Sequence, residues 1–154
     1  MEKRLTTRFL LPVLAALTLA LGACNKSVDA PTPAAPVAPA GTTTLRMGTV
    51  VAQGGVMSGG TLDIVKAPDG TEHIRFNTGF HSDFHTGSLG IYLAKSDDLI
   101  RNQRAANPAN VLRVGTITQS GAQSLLITGT ATGFSHVILH CDAAQYNFGA
   151  AALK

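Results

Sequence analysis

From Leu45 to the C-terminus, apolar residues come in short runs: "LRMGTVV", "GTLDIVKA", "EHIRF", "LGIYLA", "VLRVGTI", "SLLITGTA", "HVILHC" and "QYNFGAAAL". Each is too short for an average helix and is bounded by Gly, Asn, Asp or Ser, the pattern of β-strands separated by turns. In "APDG", Ala67–Gly70, proline presets φ and glycine supplies positive φ, so the flanking runs form a hairpin. About eight short strands with no sustained helical period predict an all-β fold, an antiparallel sandwich or barrel-like domain over residues 45–154. "SDDLIRNQRAANPAN" breaks the pattern and reads as a long polar loop, with one helical turn N-capped by Ser96.

Upstream of this domain the pattern changes twice. Lys3, Arg4 and Arg8 make a positive leader, and Phe9–Leu21 is apolar apart from Thr18. That run falls short of the ~20 residues of a spanning helix and ends in small residues, as a signal peptide does. "LGAC" resembles the bacterial lipobox, which assigns residues 1–23 to a lipoprotein signal peptide and makes Cys24 the lipid-bearing N-terminus. Acyl chains contribute about 0.8 kcal/mol per buried methylene, so two or more anchor a chain stably. The expected location is then the bacterial membrane surface facing the periplasm or cell exterior. Residues 24–44 hold the lipidated cysteine and a linker with Pro31, Pro33, Pro36 and Pro39 among Ala, Thr and Val, a composition that builds no core and favours polyproline II.

Charge follows the leader. The chain has twelve Lys and Arg against nine Asp and Glu; without Lys3, Arg4, Arg8 and Glu2, nine face eight. With no basic cluster in the remainder, nucleic-acid binding has no support. Candidate chemistry centres on Cys141. Lipidation of Cys24 consumes the only other sulfur able to pair with it, so Cys141 is an odd cysteine in an exported protein. In a strand, Val137, Leu139 and Cys141 share one face and His136, Ile138, His140 and Asp142 the other. The apolar pair points the thiol inward, where a cysteine behaves as a small hydrophobe and its raised pKa makes it unreactive.

His136 and His140 lie about 13 Å apart along a strand, too far to share one ion. "HSDFH", with His81, Asp83 and His85, is a better set, and would form a metal site if His81 or His85 met His140 in the fold. Solvated loop histidines are the competing reading. C-x-x-C-H, C-x-x-C, G-x-S-x-G and Gly-Lys-Ser motifs are missing, and neither His nor Met follows Cys141 as a blue-copper site needs. Glu72 is the sole glutamate after the leader and no acid/base pair stands out, which argues against a hydrolase.

The ordered set "GGVMSGGTLDIV", "IRFNTGF", "GSLGIYLA", "VGTITQSGAQ" and "SHVILHCDAAQYNFGAAAL" resembles the DM-thirteen domain over nearly all of residues 54–153. The resemblance implies a small all-β extracytoplasmic domain associated with electron transfer or thiol redox chemistry. In it Cys141 matches the family cysteine, proposed to act as a bare thiol or as ligand to a prosthetic group such as haem or a metal. The sequence itself requires no cofactor. His140 stands where family members usually carry an aromatic residue, and Thr86–Leu89 where they carry a Gly-Pro-Asp-Leu-like turn. Two functions follow as expectations. One is a lipid-anchored accessory in extracytoplasmic redox chemistry through Cys141, with a redox or envelope protein as partner. The other is a non-catalytic envelope binding module in which Cys141 is a core residue.

Overall fold

The computed structural model describes residues 41–154. Eight strands form there: β1 (Thr43–Ala52), β2 (Thr61–Lys66), β3 (Glu72–Phe76), β4 (Leu89–Ala94), β5 (Val111–Ile117), β6 (Gln123–Ile127), β7 (His136–Cys141) and β8 (Tyr146–Ala152). They make one antiparallel sheet in the order β5-β4-β7-β8-β1-β2-β3-β6. The all-β expectation therefore holds, in its barrel-like form. Each predicted run is a strand, and β1 starts at Thr43, two residues ahead of the expected boundary. The leader, Cys24 and the linker up to residue 40 lie outside the described residues, while Thr43 and Thr44, expected in the linker, belong to β1.

Strand β1 is long enough to serve both halves of the sheet. Thr43–Thr49 pairs with β2, and Val50–Ala52 pairs with β8. The sheet thereby curls around one core: Leu62, Ile64, Ile74 and Phe76 from one half meet Leu89, Ile91, Leu93, Val137, Leu139 and Phe148 from the other. The edge strands β5 and β6 are consecutive in sequence but not hydrogen-bonded to each other. They approach closely enough for Leu125 to lie 3.3 Å from where a β-carbon on Gly115 would sit, which nearly closes the barrel. The predicted hairpin is a type I turn: Gly70 N–H donates to the Ala67 carbonyl (2.9 Å), and Gly70 follows at φ 87°. A left-handed residue after a type I turn is the standard three-residue hairpin connection.

Helix α1 (Ile100–Ala106) and a 3-10 turn at Pro108–Asn110 follow β4. Seven residues cannot sustain a helix alone in water. Ile100 holds α1 in place by packing with Tyr92, Ala94, Ile138 and Ala150 on the outer face of β4, β7 and β8. Ser96 is not the N-cap, which corrects the sequence expectation: Leu99 occupies that position without a side-chain cap. The buried Gln103 side chain claims Ser96 instead, accepting its N–H (3.1 Å) and donating to the carbonyls of Ser96 (3.0 Å) and Asp98 (2.8 Å). Residues 96–98 close around that amide, and the helix begins only after them.

Candidate functional site

Strand β7 carries two of the candidate residues on opposite faces. Cys141 is unpaired and 0% exposed, in the core with Val137 and Leu139 as the alternation predicts. Beyond it the chain turns through Asp142–Gln145, where Gln145 is the sole non-glycine residue with positive φ among the described residues. Within this turn the Ala144 N–H points at Cys141 Sγ, 3.4 Å away. The thiol thus has a core environment on one side and one backbone donor at the strand end.

The other face of β7 is also buried, because α1 and the loop before it cover it. His140 is 1% exposed. Its Nδ1 lies 2.8 Å from Asn147 Oδ1. Asn147 Nδ2 donates to the Asp98 carbonyl (3.1 Å) and, at longer range, to that of Asp97 (3.4 Å). Two carbonyl acceptors fix the amide's orientation, so Asn147 Oδ1 must accept and His140 Nδ1 must carry the proton. A bulge makes this contact. The β7–β8 register slips between Leu139↔Gly149 and His140↔Asn147, leaving Phe148 as the extra residue. Phe148 then points into the core while Asn147 faces His140.

Tyr92 completes this outer-face cluster. Its ring meets His140 edge-on with centroids 5.7 Å apart, and its hydroxyl donates to Asp142 Oδ1 (2.6 Å). Arg113 donates to Asp142 Oδ2 (3.2 Å), and Arg104 and Arg113 both lie within about 6 Å of the Tyr92 ring centre. Gly90 supplies the space: a β-carbon there would fall 2.8 Å from both Asp142 Oδ2 and Tyr92 Cε2. Burial, reinforced by the Asp142 carboxylate, raises the Tyr92 hydroxyl above its ordinary pKa. Burial works the other way on Asp142, but hydrogen bonds from Tyr92 and Arg113 outweigh it and hold the carboxyl below its ordinary value. Each group stays in the protonation state its partner needs, so the cluster clamps the end of β7 against β4 and β5.

His81 and His85 lie elsewhere. His81 bridges to Gly59 through two backbone hydrogen bonds (2.9 and 3.1 Å) and, with His85, lines an open groove with Val56, Met57, Asp83 and Phe84. His140 takes no part in this groove, so the two segments do not meet to combine His81 or His85 with His140 in one site. Burial beneath α1 and the bond to Asn147 commit it to the opposite role. His85 Nδ1 and its backbone N–H both bond Asp83 Oδ1. The backbone N–H first and the ring second hold the Asp83 carboxyl below its ordinary value. Among the described residues, no three His, Cys, Asp or Glu side chains gather into a metal-binding group. Glu72 accepts the Ala131 N–H (2.7 Å) and the Thr130 hydroxyl, securing the loop before β7.

A second groove, of about 480 Å³, runs beside β1 between Met47, Val51 and Ala152 and the polar Thr61, Asp63, Asn77 and Lys154. Leu45, Met47 and Val51 alternate along the outward face of β1 and are exposed. This row and the Tyr92–Asp142–Arg113 cluster are not apparent in the sequence. The alternation of Leu45, Met47, Thr49 and Val51 was the available signal for the first. Nothing local signals the second, whose members are up to fifty residues apart. Comparison with protein-family models, with curated proteins and with solved structures finds no match to this chain.

Proposed function

We propose that this chain is a non-catalytic binding module of the bacterial envelope, anchored through a lipid on Cys24, with Cys141 as part of its core. The observation that carries the choice between the two expected functions is the complete burial of Cys141 among Val137, Leu139 and Phe148. A thiol so placed meets neither substrate nor partner while the strand end stays closed. The exposed row on β1 and its adjoining groove support a binding role, since apolar surface of this kind rimmed by polar groups marks interaction sites. The partner class that fits is another envelope protein.

One observation favours the second reading, in which the resemblance to the DM-thirteen domain carries over a redox role. The Ala144 N–H donates toward Sγ, and opening of the Asp142–Gln145 turn would expose a sulfur that already has a donor for its charged form. Thiol labelling of the native chain separates the two. Under the binding reading, Cys141 labels only as fast as the strand end unfolds, and its rate rises with denaturant. Rapid labelling under native conditions sinks that reading and favours a reactive thiol.

A further inference from the structure

We propose that Met57, His81 and His85 form a surface site for monovalent copper. The argument begins with the turn after β1. Gly54 and Gly55 both adopt positive φ (64° and 76°), reversing the chain so that Val56–Gly60 returns beside residues 81–83. The pairing is antiparallel, with Gly59 opposite His81. One step on, the Ser58 and Ser82 hydroxyls hydrogen-bond at 2.7 Å, so the same register continues. Past Ser58 no backbone hydrogen bond continues the bridge, and Met57 and Asp83 come together only as lining of one groove.

Side chains alternate across such a pair. The buried Ser58 takes one side and the exposed Met57 the other, where it lines one groove with His81. Gly59 keeps that side open. A β-carbon there would sit 2.7 Å from His81 Cε1, so the imidazole lies over the glycine where a larger residue would displace it. Met57, His81, Asp83 and His85 then line one open groove of about 770 Å³.

Both imidazoles are arranged as ligands. His81 Nδ1 sits 3.1 Å from the Gly79 carbonyl, which can only accept, so Nδ1 carries the proton and the Nε2 lone pair is free. His85 Nδ1 is bonded to the Asp83 carboxylate, with the same consequence for its Nε2. An imidazole whose second nitrogen is tied to a carbonyl or carboxylate is the usual form of a metal-binding histidine, because the outer partner sets tautomer and orientation. The third donor decides the metal. Met57 is 78% exposed, an extreme for a large apolar side chain, and its thioether is a soft ligand. Thioether with imidazole suits Cu(I), whereas zinc gains nothing from the sulfur and calcium or magnesium would want oxygen donors. His81 is fixed by the bridge, His85 (93% exposed) is oriented by Asp83, and the exposed Met57 has no packing to hold it away from an ion in the groove.

The test is a competition between the chain and a colorimetric Cu(I) chelator under anaerobic conditions. The full chain would carry Cys24→Ala and Cys141→Ala, so that no thiol takes the metal. One Cu(I) should be retained per chain, with one sulfur and two nitrogen scatterers in its X-ray absorption spectrum. Met57→Leu, His81→Asn and His85→Asn should each weaken retention about tenfold or more. Met57→Leu should leave Zn(II) binding unchanged. Unaltered melting temperatures would show that these substitutions act on the site and not on the fold. Loss of all copper to the chelator, Met57→Leu binding like the parent, or a spectrum without sulfur would each overturn the proposal.

Discussion

Replacing Asn147 with Ala tests whether the outer-face cluster holds the second layer of this domain. Asn147 is 2% exposed and His140 1%, so neither can turn to water when the other is lost. The substitution removes the acceptor for His140 Nδ1 and the donor to the Asp98 carbonyl. Stranding a buried donor costs about 1–3 kcal/mol, and losing the tether to the loop adds about 0.5–1.5 kcal/mol. The expected total is about 1.5–4.5 kcal/mol, a large share of the stability of a domain this size. Urea denaturation followed by circular dichroism would read it as a lower midpoint with an unchanged slope.

The same variant in a His140→Phe background sharpens the test. Phenylalanine keeps an aromatic ring against Tyr92 and removes the stranded N–H. The cost of Asn147→Ala should therefore shrink there by about 1 kcal/mol or more, the signature of direct coupling. A cost below about 0.5 kcal/mol, or full additivity of the two substitutions, would show that the hydrogen bond contributes nothing and that packing of α1 alone covers this face.

Cys141→Ala should fold and lose about 1–2 kcal/mol by leaving a small cavity, while Cys141→Ser should lose about 1–3 kcal/mol if its hydroxyl finds no partner; a Ser variant more stable than Ala in urea would contradict the apolar setting of the sulfur. Because the Asp142 carboxyl is held below its ordinary value of 3.8, its stabilisation is present above that pH and is lost as pH falls through the lower folded value. The Tyr92 hydroxyl is raised above 10.0, so its stabilisation is present below that pH and fades as pH rises through the higher folded value. Tyr92→Phe should flatten both limbs of a melting-temperature profile, and unchanged limbs would reject the pairing. Cys24→Ser should leave the chain unlipidated and shift it from the membrane fraction to the soluble fraction or to an uncleaved form; continued acyl labelling of that variant would refute lipid attachment at Cys24.

Strand positions were legible because alternation is a local property: "HVILHC" shows its inward face through Val137 and Leu139 without knowledge of its neighbours, and Cys141 follows them into the core. "APDG" was legible for the same reason, since proline and glycine set φ within the turn itself. The start of α1 was not. Ser96 is an ordinary N-cap candidate until a buried glutamine seven residues later takes its N–H and carbonyl. His140 read as a candidate ligand because sequence alternation shows which face a residue takes but not what covers that face. Only packing put α1 over it, and only the one-residue bulge at Phe148 brought Asn147 opposite it. The grouping of Met57 with His81 likewise depends on a two-glycine reversal and a single bridge joining segments over twenty residues apart. Local periodicity determined the strands and the buried side of Cys141. The register between distant segments, set by bulges and turns, decided which polar residues meet.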